Sequence, residues 1–350
     1  MKRHEYTNKS YVWHICSAFI GLIILLSSCT SNIPDDLDAL SDDITVTTRD
    51  FSPYLGRKTA FEDVVNVSNK STLPLDFRIA GIRTAEGRPA PELLESYPVK
   101  VWTQAYTGRE TSIAEIEAKR KEEYRPMFEI QQKSGNLTFW NVGSSATIET
   151  LPSEGYLFDI ELSNTGGRRY VRDLVLQPRK ERDYEPSQYD DINGLARTAF
   201  LRPNMLVNVV GDRTGLPILD TRVYIFKDEE NTDPGNTLSI SALDSLGNTI
   251  DIQKFKDTDF EHLVHGFNHR FVDGKVVYDV AYPMPLVNFP TRYTNSGGDR
   301  ASLLLRYDRI GRNGILNQAW IRFEFAIFRE GHWEIQIRFN GETPKFENER

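Results

Sequence analysis

Three histidines crowd into one short stretch, Glu261-His262-Leu263-Val264-His265-Gly266-Phe267-Asn268-His269. The His-x2-His-x3-His spacing would set at least two imidazoles on one side of a helical turn, the arrangement a zinc ion needs. Glu261 precedes the first histidine, so no general base lies between them as in a His-Glu-x-x-His metalloprotease helix. Gly266 and Asn268 favour a loop. The expectation is therefore hydrogen-bonding or surface histidines and no assigned metal, with His262, His265 and His269 as the only candidate ligands. The acidic run Asp228-Glu229-Glu230-Asn231-Thr232-Asp233 offers oxygens for calcium but lacks the glycine and terminal glutamate of an EF-hand loop, so it reads as a solvated hairpin tip.

A second constellation is aromatic. On the predicted strand Ala319 to Phe328, Trp320 alternates with Ile321 and Phe323 and shares its face with Arg322 and Glu324. On Pro98 to Tyr106, Trp102 and Tyr106 share a face with Lys100 and Gln104. Flat rings beside hydrogen-bonding side chains suit sugars, whose C–H faces stack on rings while their hydroxyls seek polar partners. Trp102, Tyr106, Trp320, Arg322 and Glu324 are the ligand-binding candidates. The competing expectation is that these rings pack between domains or under a long loop, because tryptophan is usually largely buried. They would also serve as a protein contact site. Trp333 falls on an apolar face and reads as core. Trp140, between Phe139 and Asn141, is not placed by pattern.

Nucleophile elbows, phosphate loops and zinc cysteine pairs are absent from the sequence, so no catalytic residue or cofactor is assigned and the chain is expected not to be an enzyme. A glycosidase remains a third reading, because its carboxylate pair is set in space and not in sequence, and so does a metal-dependent hydrolase using the His262 region.

Strands must position these residues. With 15 Tyr and 19 Phe the composition leans towards β structure. Phe61 to Asn69, Leu75 to Ile82 and Pro98 to Tyr106 read as strands. Ser112 with Glu115 forms a capping box, and Ile113 to Tyr124 reads as one inserted helix stopped by Pro126. A hairpin through Gly166-Gly167 follows, and then the charged stretch Pro178 to Asn193 reads as a linker or edge excursion. In the second half Val207 to Val210, Arg222 to Phe226 and Leu238 to Leu243 are strand-like, and Asp273-Gly274 marks a hairpin. The last two strands carry Ile321, Phe323, Phe325 and Ile327 on one apolar face and Trp333, Ile335, Ile337 and Phe339 on the other. Those faces should meet in one core layer. The expected architecture is all-β: two immunoglobulin-like or jelly-roll-like sandwiches at 46–180 and 205–350, joined by a linker at 181–204, with the helix in the first.

The N-terminus supplies an address. Lys2, Arg3 and Lys9 precede the apolar run Ile15 to Leu26, which ends in Leu26-Ser27-Ser28-Cys29. This order reads as a secretory signal at 1–28 and is too short to span a bilayer. The four residues resemble a bacterial lipobox, which implies cleavage before Cys29 and lipidation of Cys29. Removing the signal leaves 39 Lys and Arg against 49 Asp and Glu, a net charge of −10, which argues against nucleic acid as a partner. Cys29 is then the sole cysteine, so no disulfide staples the mature chain. The polar, acidic tether at 29–45 resembles the export signal that Bacteroidota use to place lipoproteins on the outer face of the outer membrane.

Ile116 to Ile130, Phe139-Trp140 and Ser163 to Ser187 resemble a family of uncharacterised Bacteroidota outer-membrane lipoproteins known as a domain of unknown function. The resemblance is clearest over residues 45–200. It implies an outer-membrane location and company with starch-utilisation-type uptake systems, and it carries no established activity. Together these readings point to a surface-facing, lipid-anchored, non-catalytic binding module for a nutrient, with a glycan and an outer-membrane transporter complex as partners. The alternative is a structural, adhesive or transporter-docking protein.

Overall fold

The computed structural model describes residues 38–67, 70–311 and 314–348. The signal segment, Cys29 and the start of the acidic tether lie outside the described residues. Among those described, no helix is long and apolar enough to cross a membrane.

The chain is nearly all β and forms two sandwiches, each closed over its own core. In the first, Asp50–Phe51, Gly167–Leu176, Tyr156–Asn164 and Asp76–Thr84 make a four-stranded sheet in that order. A three-stranded sheet of Thr59–Phe61, Leu137–Phe139 and Phe128–Ile130 covers it. Alternation in Tyr156–Asn164 turns Tyr156, Phe158, Ile160 and Leu162 inward, all fully buried. Phe158 meets Phe128 of the other sheet edge to face, with ring centroids 5.0 Å apart. The sandwich takes up the chain before residue 46, because Ile44–Val46 already pairs antiparallel with Val65–Val67.

In the second sandwich, one sheet runs Thr221–Lys227, His332–Phe339, Thr237–Leu243, Lys275–Val280 and Gly266–Val272. The other is built on Leu316–Ile327, with Ala301–Ile310 and Met205–Val207 paired along it. Ile321, Phe323, Phe325 and Ile327 face Trp333, Ile335, Ile337 and Phe339 in one buried cluster, so the two apolar faces do meet. The strands that carry them lie in different sheets and pack across the core. The Asp273-Gly274 turn also forms, with both residues at positive φ, 51° and 76°.

One segment differs from its expected form, and another takes the second of its two expected forms, an excursion along a sheet edge. The Ser112 cap forms, its hydroxyl accepting from the Glu115 amide at 3.1 Å, but the Glu115 carboxylate accepts from the Thr111 amide at 2.8 Å in place of Ser112, and the helix covers only Ile113–Ala118. Arg120–Pro126 is a strand paired with Ser96–Trp102. The residues after Ala118 are good helix formers, yet antiparallel pairing with Ser96–Trp102 takes up the backbone groups of alternate residues, and tertiary pairing overrides propensity. The segment at 181–204 is also tied down. Tyr184–Glu185 adds a strand to Leu316–Ile327. Glu185 takes Arg57 of the first sandwich at 2.8 Å and also Arg300 of the second. Asp191 accepts from the Tyr54 hydroxyl at 2.8 Å. Burial would raise the Asp191 carboxyl, but the Tyr54 hydroxyl and Arg179 hold it at about 2.

Candidate functional site

The histidine stretch does not converge. Asp259, Phe260 to His262 and Leu263 make a short 3-10 turn, and Gly266–Val272 is a strand, so the three rings leave the chain in different directions. His262 is exposed and its Nδ1 lies 3.0 Å from Asp259. His269 sits on the strand with Nδ1 3.4 Å from Glu261. Among the described residues no group of three potential ligands could hold a metal.

His265 has a different role. It is 7% exposed and links the two halves of the chain. Its Nε2 lies 3.1 Å from the Glu110 carbonyl, which only accepts, so Nε2 carries the proton. Nδ1 is then free to accept from the Tyr106 hydroxyl. The ring stacks on Tyr293 with centroids 4.6 Å apart and 4° between planes. Burial lowers the His265 pKa, against a smaller upward pull from Glu110, so the neutral ring is the form this site holds. Burial would raise the neighbouring Glu110 carboxyl, but the Lys119 ammonium and Thr107 keep it at about 2.

Tyr106 is therefore corrected from an exposed platform to a buried contact, at 9% exposure. The strand ends at Trp102, so the alternation that put the two rings on one wet face stops before Tyr106. The loop after it carries Tyr106 into a small cluster with Ile116 and Ala281, against which Trp102 packs half-buried. The Arg120 guanidinium lies 5.6 Å from the Trp102 ring.

Trp320 keeps its expected face. The strand Leu316–Ile327 runs unbroken through it, and its burial alternates from Ala319 to Phe325. Trp320 is half-buried, Arg322 exposed and Glu324 half-buried, all on the outer side of the sheet. Arg306 stands opposite Trp320 on the neighbouring strand. The indole Nε1 lies 3.2 Å from the Met205 sulfur. Asn204 accepts from the Glu324 amide at 2.7 Å, and the Asn295 side-chain amide donates to its carboxylate at 3.5 Å. The arrangement is one partly exposed aromatic ring bordered by two guanidinium groups and a carboxylate. Of the other tryptophans, Trp333 is core as expected. Trp140 is buried under the Lys58 ammonium, which lies 4.6 Å from its ring.

The pattern missed one feature. A concave groove of about 590 Å³ opens at the junction of the two halves, lined by Tyr106 to Arg109 from one and Phe289 to Arg292 from the other. At this groove the Gly108 backbone comes close to the Thr291 side chain. Gly108 has φ 73°, and a Cβ there would stand 2.9 Å from the Thr291 side chain. The sequence signal for it was the proline-rich run Pro283, Pro285 and Pro290, which marks an irregular segment, but nothing local joins it to residue 108.

A family model described as a domain of unknown function (DUF5007) matches residues 66–348, and the chain belongs to that family. No curated protein matches it. Among solved structures, the two tandem V-type regions of VCBP3, a v-region-containing chitin binding protein, are similar over 83% of this chain and 99% of that one, at 8% identity and a TM-score of 0.21. Sidekick-1 immunoglobulin domains 1–5 are similar over 87% of this chain and 38% of that one, at 8% identity and a TM-score of 0.17.

Proposed function

We propose that this member of the family is a non-catalytic glycan-binding module, anchored by a lipid on Cys29 at the outer face of the outer membrane and serving a nutrient-uptake system. The observation that carries the binding reading is the Trp320 face. A half-exposed indole gives the C–H face of a sugar ring something to stack on. Arg322, Arg306 and Glu324 beside it give hydroxyl groups donors and an acceptor. The indole sits on a long central strand, so its geometry is set by the sheet and needs no loop to close. The anchor and the location rest on the Leu26-Ser27-Ser28-Cys29 sequence and on the acidic tether.

The test is binding of the soluble mature chain to a broad panel of oligosaccharides. Trp320→Ala should weaken binding by about 2 kcal/mol, roughly thirtyfold, with the fold intact. Unchanged affinity across the panel removes the aromatic-platform reading.

A second reading has its own support. The outer face of the same strand also carries Leu316, 56% exposed, and Met205 stands beside the indole at 43%. Tryptophan, methionine and arginine together are the composition of protein contact sites. Docking on an outer-membrane transporter would use this face. Co-purification with such a transporter, lost in Trp320→Ala and without any glycan bound, would favour it.

A further inference from the structure

The junction groove offers chemistry that the Trp320 face does not. Arg109 reaches it from the loop ahead of the helix, and Arg292 from the proline-rich segment of the second sandwich. Arg109 is exposed, its backbone amide donates to Thr107, and among the described residues its guanidinium pairs with no carboxylate. Arg292 is exposed and its nearest carboxylate is Asp259, at 3.7 Å, which also holds His262 at 3.0 Å. Among the described residues no carboxylate lines the groove. In a chain with a net charge of −8, two guanidinium groups bordering one concavity with no acid in its lining are a local reversal of sign. Between them lie Phe289, 41% exposed, and the exposed Pro290. A volume of about 590 Å³ lies within the usual range for small-ligand sites.

We infer that this groove is a second binding site, for a carboxylate-bearing saccharide such as a short uronate oligosaccharide. A carboxylate is held by Arg109 and Arg292, whose planar forks match its two oxygens. The ring of the sugar lies on Phe289. The saccharide part of this assignment rests on the glycan-binding reading above, whereas the acid part rests on the two arginines alone. Because the ligand bridges Arg109 of one half and Arg292 of the other, its binding also fastens the junction that His265 and Tyr106 hold from beneath.

Calorimetry of the mature chain with tetragalacturonate and its methyl ester at low salt tests the inference, since esterification removes the charge and keeps the ring. The acid should bind about tenfold or more tightly than the ester. Arg109→Gln and Arg292→Gln should each weaken the acid by about tenfold while leaving the melting temperature unchanged. Equal binding of acid and ester, or full affinity in both arginine variants, overturns the site. If Trp320→Ala abolishes both ligands while the arginine variants do nothing, the groove assignment fails and the glycan reading stands. If neutral, galacturonate, glucuronate and mannuronate oligosaccharides all fail to bind, both fall. A sulfated, uronate-free oligosaccharide that binds in their place overturns the carboxylate assignment.

Discussion

The Trp102–Tyr106 segment and the Trp320 segment carry the same pattern, an aromatic ring alternating out of phase with an apolar face, and the folded protein uses them in opposite ways. Leu316–Ile327 continues as a strand past both sides of Trp320, so its outer face stays outer. Ser96–Trp102 stops at its tryptophan, and the chain beyond it turns Tyr106 into the contact between the two sandwiches. Alternation assigns a side chain to a face only while the strand lasts. Whether that face is wet depends on what packs over it.

The contrast is sharpest within one strand. Phe323→Ala removes a fully buried ring from the second core and should cost about 3–5 kcal/mol in chemical denaturation, whereas Trp320→Ala, three residues away on the opposite face, should cost about 1 kcal/mol or less. Similar losses for the two would mean that Trp320 is structural and the outer face is not a binding surface.

A smaller effect separates the two aromatic sites. Tyr106→Phe keeps the ring but leaves His265 Nδ1 buried without a donor, and should cost about 1–3 kcal/mol. A neutral outcome would place the hydroxyl outside the junction.

The smallest effect is one of pH. The folded protein holds His265 below its ordinary value of 6.5, so the unfolded chain binds more protons as pH falls through that value. The contribution of the neutral ring is complete above about pH 6.5 and declines below it. The melting temperature should fall between pH 7.5 and 5.5 in the native protein, and less steeply in His265→Gln. Equal slopes would show that the ring titrates freely.

Much of this molecule was legible along the chain. The period-two burial of Tyr156–Asn164 and of the last two strands, the Asp273-Gly274 turn and the Ser112 cap are decisions made by neighbours a few residues apart. Arg120–Pro126 was not legible, because its helix-forming residues are outweighed by a strand partner some twenty residues earlier. The histidine stretch was misleading in spacing, since Asn268, at φ 52°, and the register shift between Phe267 and Arg270 separate the rings.

The sequence by itself determined the β class and the apolar faces of the strands, since each depends on local pattern and composition. Only the tertiary structure decided that Tyr106 is buried on His265 and that Arg109 meets Arg292 across a groove. Those pairs lie more than a hundred and fifty residues apart, and no periodicity extends over such a distance. They are joined because the close approach at Gly108 and Thr291 lets one sandwich seat its loop on the other.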